Sequence, residues 1–249
     1  MLTLANPAKF LSVTSGLWRW LLGVTGACFV IGLPLALVFS PPDYQQGEAV
    51  RLMYVHVPAA WMAMFTYAVM AVFAFSHLVW RAPLADLAAA AAAPMGVIFT
   101  AIALATGMLW GKPMWGAFWV WDARLTSVLV MFFIYLGVIA LRQSIDDATK
   151  AARLAAILTL VGAINLPIIH FSVYWWNTLH QQATILRLGK PTIAGSMLAP
   201  LAVLTIGYTL LFATAMVLRL RASILSQQTK AATGRQPSRA EIREAGAHA

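Results

Sequence analysis

Charge is scarce in this 249-residue chain: 10% of its residues are Asp, Glu, Lys or Arg, against 61% hydrophobic. A soluble domain carries about a quarter charged residues, so the shortfall must be gathered in apolar runs that no water-soluble core absorbs. Cysteine is scarcer still. Cys28 stands alone, which excludes an intrachain disulfide. No C-x-x-C-H occurs, so the chain is not itself a c-type cytochrome. No G-x-x-x-x-G-K-[ST] occurs either, so any use of ATP belongs to a partner. Alternating strand patterns are missing, which excludes a β-barrel.

What is present is a set of six charge-free stretches, at residues 20–39, 57–80, 87–110, 125–141, 154–173 and 193–218. Each approaches the roughly 20 apolar residues that carry a helix across a bilayer. An all-α integral membrane protein with a six-transmembrane-helix bundle follows. The first stretch is too long and too tryptophan-flanked for a signal peptide, and is expected to remain as a span. Residues 1–19 form a cytoplasmic N-terminal segment, 20–219 the membrane domain, and 220–249 a disordered basic cytoplasmic tail without aromatic residues.

Within the spans there is no Asp, Glu, Lys or Arg, and the ionisable imidazoles are His77 and His170, both near span ends. Channels, pumps and many transporters keep charged groups at mid-membrane to relay or coordinate their cargo. An interior without them suits a scaffold for a site at the membrane surface, or a bundle that handles a flat apolar molecule. His77 reads as structural. His170 is a weaker site candidate, through a kink at Pro167 that would turn the imidazole inward.

Of the 17 Lys and Arg residues, 12 fall on the side that holds both termini and 5 on the other. Basic residues stay in the cytoplasm, so both termini are inside. The net charge of +9 is then orientation signal and tail, not a nucleic-acid footprint, because no basic stripe is interleaved with stacking aromatics.

Three outer segments, 40–56, 111–124 and 174–192, concentrate the unusual residues. Residues 110–127 read Trp-Gly-Lys-Pro-Met-Trp-Gly-Ala-Phe-Trp-Val-Trp-Asp-Ala-Arg-Leu-Thr-Ser, with four tryptophans in the first twelve positions. An interfacial aromatic belt accounts for Trp18, Trp20 and Trp80, but not for that density. A short interfacial helix from Pro113 would place Trp115, Phe118, Trp119 and Asp122 on one face. Such an aromatic shelf binds flat conjugated molecules, and Arg124 beside it would clamp carboxylates. A flat apolar ring with carboxylates on one edge describes haem. His56, opening the second span in Met-Tyr-Val-His-Val-Pro, and His180, in the last outer segment, share that side. Imidazole is a common axial ligand of haem iron, so these are the candidate iron ligands.

The order Trp-Gly…Trp-Gly…Trp-x-Trp-Asp-x-Arg-Leu-Thr-Ser resembles the tryptophan-rich WWD signature of haem-handling proteins. With the six spans, the block from Met53 to Trp61 and the outer His180, the chain from about Arg51 to Arg219 is similar to the cytochrome c maturation protein C (haem exporter protein C, CcmC) family. The resemblance implies haem b held transiently as cargo at the periplasmic face of the bacterial inner membrane. His56 and His180 would be its axial ligands. Trp115, Trp119, Trp121 and Asp122 would form the platform and chaperone-facing surface, with Arg51 and Arg124 as propionate partners. It also implies three partners: a membrane-anchored periplasmic haem chaperone (cytochrome c maturation protein E), an ABC transporter pair, and a small single-span subunit (cytochrome c maturation protein D).

Haem presentation without catalysis is the leading function. A membrane cytochrome b is the alternative, but such proteins bury their histidines within the helices, whereas ligands beside outer segments suit delivery. A haem permease would need a second site on the inner side, where no aromatic or histidine cluster stands. The orientation is directly testable. A reporter active only outside the cytoplasm is expected to work when fused after Met114 or Gly189, and to be silent after Asp147; activity after Asp147 would invert the topology.

Overall fold

The computed structural model describes residues 6–181, 190 and 193–233. Its helices are Pro7–Pro34 (α1), Met53–Trp80 (α2), Pro83–Trp115 (α3), Ala123–Ser144 (α4), Ala148–Gly162 (α5), Asn165–Trp175 (α6) and Gly195–Thr233 (α7). Six stretches are long and apolar enough to cross a membrane, with α5 and α6 together making the fifth, as the charge-free runs predict. Beyond a single bridge between Asp43 and Gly47, no strand forms among the described residues.

Short polar side chains set the helix starts. Asn6 accepts from the Ala8 and Lys9 N–H groups ahead of Pro7, Asp147 from Thr149 and Lys150, and Asp122 from Leu125. Arg81 and Ala82 alone join α2 to α3: Arg81 takes a left-handed φ of 49°, and Pro83 begins the next helix. α3 has 33 residues, about 50 Å at the usual rise, so its final turns stand clear of a hydrocarbon core about 30 Å thick. It therefore carries Trp110 and Trp115 up to the level of the connecting segments.

In lipid, helices gain little by burying bulk from tails that are equally apolar, and more by approaching closely. Small residues do this here. Ala88, Ala89, Ala91, Ala92, Ala93 and Ala103 of α3 share one buried cluster with Ala59 and Ala63 of α2. Two tyrosines then cross the bundle. The Tyr135 hydroxyl donates to the Ala63 carbonyl at 2.8 Å and that of Tyr67 to the Thr159 carbonyl at 3.0 Å, the two rings meeting edge-on 5.0 Å apart. Each ring sits on a glycine: a Cβ on Gly96 would fall inside the Tyr135 ring, and one on Gly162 would overlap the Tyr67 hydroxyl.

At the end of the bundle holding the two described termini, Arg142 clamps Asp86 through paired bonds of 2.6 and 2.9 Å. Arg221 donates to the Leu11 carbonyl and the Thr14 hydroxyl, fastening α7 to α1. The opposite end, where α2 and α4 begin and α3 and α6 finish, gathers the site.

Four expectations are corrected. The interfacial helix from Pro113 does not form: α3 runs on to Trp115, Gly116 turns left-handed at φ 76° and ends it, and the chain to Asp122 is not helical. The tail does not begin at residue 220, because α7 continues to Thr233, with Ile224 buried and Arg221 bonded to α1; residues 234–249 lie outside the described set. Helix α1 starts at Pro7, well inside the segment expected to precede the membrane. The fifth span breaks at residues 163–164, before Pro167, and His170 faces outward on α6 instead of inward.

The glycine seats give a stability prediction. Gly96→Ala and Gly162→Ala should each destabilise the folded protein by about 1–3 kcal/mol, the usual penalty for overpacking. Gly23→Ala, with open space around it, should not. Thermal unfolding in detergent reads the difference, and equal melting temperatures for all three would refute the tyrosine seats.

Candidate functional site

His56 stands in the first turns of α2, four residues after the short 3-10 turn Glu48–Leu52 delivers the chain into the helix. Its Nδ1 is 3.0 Å from the Ala103 carbonyl and 3.1 Å from the Thr106 hydroxyl, both on α3. A carbonyl only accepts, so Nδ1 carries the proton and Nε2 keeps its lone pair, the tautomer a metal ligand needs. The ring packs against Gly107, where a Cβ would stand 3.0 Å away, and Trp110 meets it edge-on at 5.7 Å. The Trp110 Nε1 donates in turn to Gln46, tying the 40–47 segment down. Pro58 does not set the start of α2, since the helix begins five residues earlier, at Met53.

The tryptophan run reaches the site as a loop. Gly111 has no side chain to obstruct Trp115, whose ring folds back over α3 and meets His180 edge-on at 4.9 Å. Lys112 crosses the loop, donating to the Gly116 carbonyl at 3.0 Å with its ammonium 5.3 Å over the Phe118 ring. Trp119 packs edge-on against Trp121 at 5.5 Å, and its buried Nε1 has no hydrogen-bond partner among the described residues. Trp121 is 75% exposed.

Asp122 is buried and holds three things together. One carboxylate oxygen accepts the Leu125 N–H at 2.7 Å, starting α4. The other accepts the Leu179 N–H at 3.3 Å and stands 3.6 Å from the His180 Nδ1, just beyond hydrogen-bonding reach. The His180 Nδ1 is therefore buried without a hydrogen-bond partner among the described residues. Burial pushes the His180 imidazole below its ordinary value, Asp122 opposes that and Arg124 adds to it, so the ring is neutral at neutral pH. Arg124 donates to the Ile169 carbonyl of α6 at 3.4 Å, and both it and His180 lie within electrostatic reach of His56.

His56, His180, Trp115, Asp122 and Arg124 thus converge, with Trp119 and Trp121 on the adjoining loop. Arg51 does not join them: its guanidinium pairs with Glu48 and reaches the Ala36 carbonyl at 3.4 Å. His77 lies at the opposite end, beside Asp86 and Arg142. Four partners of His56 escaped the sequence reading: Ala103, Thr106, Gly107 and Trp110, which fall at i, i+3, i+4 and i+7 on α3. That spacing was the available signal.

Comparison with known proteins is consistent across the chain. The family model described as Heme exporter protein C (CcmC) matches residues 1–235. Heme exporter protein C of Bradyrhizobium diazoefficiens is 52% identical over 239 residues, covering 96% of this chain and 90% of the relative. That of Escherichia coli K12 is 48% identical over 227 residues, 91% of each, and that of Paracoccus denitrificans 38% over 233 residues, 93% of this chain and 96% of the relative. The protein, a multi-pass bundle of six apolar spans, belongs to the Heme exporter protein C family.

Proposed function

We propose that this chain holds haem b as cargo at the periplasmic face of the inner membrane, between His56 and His180, and presents it for c-type cytochrome biogenesis without catalysing a reaction. The observation that carries this reading is the His56 tautomer: Nδ1 donates to a backbone carbonyl, and Nε2 keeps its lone pair for a metal. Two neutral imidazoles supply two ligands, which complete an iron whose other four come from a porphyrin. Trp115 and Trp119 would bound the macrocycle. Arg124, with a single long bond to protein, keeps donors for a propionate. Arg51, already paired, is the weaker propionate partner.

Trp121, projecting from the loop, offers an aromatic surface to a receiver, and a membrane-anchored periplasmic chaperone that takes haem through its own histidine fits that place. The sequence holds no G-x-x-x-x-G-K-[ST], and an ABC transporter pair would do the work of releasing the loaded chaperone, with a small single-span subunit in the assembly. The interior packed with alanines and crossing tyrosines favours presentation at one end over passage through the bundle. The 12-to-5 basic asymmetry favours cytoplasmic termini.

Purified protein loaded with haem should show a six-coordinate low-spin spectrum. His56→Ala or His180→Ala should each give a five-coordinate spectrum, with free imidazole restoring the sixth ligand in at least one variant, and His77→Ala should change nothing. An unaltered low-spin spectrum in the double variant would end the proposal.

Asp122 supplies a second test. On ligation, a small shift of the 177–181 segment would close its 3.6 Å gap to the His180 Nδ1, orienting the ring as the Ala103 carbonyl orients His56. Asp122→Asn retains an oxygen for the cap on α4 but weakens that orientation. Haem affinity should fall roughly 10–100-fold with the melting temperature little changed. Equal affinity would leave Asp122 a capping residue only.

A further inference from the structure

His170 is the imidazole the site does not use. It lies exposed on α6, makes no hydrogen bond among the described residues, and lines a groove of about 370 Å³ between α2 and α6. The groove is otherwise apolar, walled by Trp61, Phe65, Leu166, Pro167 and Phe171. Its aromatic rings are ordered: Trp61 stacks on Phe65 with 17° between planes, and Phe171 on Trp175 with 22°. The His170 ring meets Phe171 edge-on at 4.8 Å, and imidazole nitrogens left unbonded against an apolar wall are unfavourable unless something polar or a metal meets them there.

The groove adjoins the site. Trp61 lies five residues into α2 from His56, about 7.5 Å deeper along the helix, and His170 is as far below the end of α6 at Trp175. His170 also follows directly on Ile169, whose carbonyl holds Arg124. An opening this size, on the lipid-facing side and level with the outer half of α2, suits a flat apolar macrocycle lying in the bilayer.

Building on the haem reading above, we propose that this groove is a lipid-side docking site, where a metalloporphyrin dissolved in the adjacent leaflet is met by the His170 imidazole before it passes to His56 and His180. His170 Nε2 or Nδ1 forms a single axial bond to the metal, which breaks as the two site histidines take over. The oxidation state is unchanged, and no co-reactant is needed.

The test uses the full chain in lipid nanodiscs, with haem supplied from donor vesicles of phosphatidylcholine and phosphatidylglycerol. His170→Leu and Ala68→Trp, the second of which fills the groove, should slow growth of the low-spin spectrum roughly tenfold, the small end of the range over which association rates respond to an altered docking surface. The final spectrum should be that of the unsubstituted protein. Unchanged rates in both variants would overturn the proposal. So would an altered final spectrum in His170→Leu, which would make His170 a ligand of the held haem. A second measurement is independent of the two site histidines. Zinc protoporphyrin takes one axial imidazole, and in the His56→Ala/His180→Ala background it should still show the imidazole-bound Soret shift, lost on adding His170→Leu. No shift in the double variant overturns the groove, whereas low-spin haem persisting there overturns the axial-ligand reading alone.

Discussion

The site depends on how closely α2 and α3 approach. The Ala103 carbonyl belongs to a helix interior, where side chains ordinarily screen the backbone from a neighbouring helix. It reaches the His56 Nδ1 at 3.0 Å because small residues line that face of α3. Ala103 and Gly107 leave room for an imidazole to lie on the backbone itself, and the alanine-rich packing below keeps the two helices at that separation along their length. Glycines make the same allowance elsewhere in the bundle, where Tyr135 of α4 sits on Gly96 of α3 and Tyr67 of α2 on Gly162 of α5.

A carboxylate does for the loops what the alanines do for the helices. Asp122 caps α4, holds the Leu179 backbone and faces His180, so segments on either side of α4, α5 and α6 are joined through one buried side chain. The N-terminal end of α4 and the Arg124 guanidinium both lie beside it. The signature residue of the tryptophan run is thus a structural joint first, and its position toward His180 follows from that joint.

The fold was legible because lipid imposes a simple rule, and six charge-free runs obey it. That His56, His180, Asp122 and Arg124 come together at one end of the bundle was legible, but the local shape of the tryptophan run was not. Trp115, Phe118, Trp119 and Asp122 do fall at helical spacing, yet a segment so rich in aromatics produces that spacing in almost any register. The better signals were Lys112 and Gly116, a helix end, and Asp122 before Ala123, a helix start. The partners of His56 were invisible for a different reason, since alanine, threonine and glycine carry no chemistry until a neighbour is known to press on them. The extension of α7 past Leu220 depends likewise on contacts with α1, a helix about two hundred residues earlier that local composition cannot bring into view.

The two histidines are held with unequal firmness, and this bears on the kind of protein the site makes. His56 is fixed by a helix, a carbonyl, a hydroxyl and a glycine seat, whereas His180 stands five residues beyond the end of α6 with its Nδ1 unpartnered among the described residues and the Asp122 carboxylate 3.6 Å away. A resident redox centre needs both ligands rigid, so that the iron changes charge without changing geometry. A carrier needs one ligand that defines position and another that can let go. On the proposed reading, the His180 imidazole would make its supporting hydrogen bond only when the ring shifts, and a receiver at the exposed Trp121 face would bias that shift.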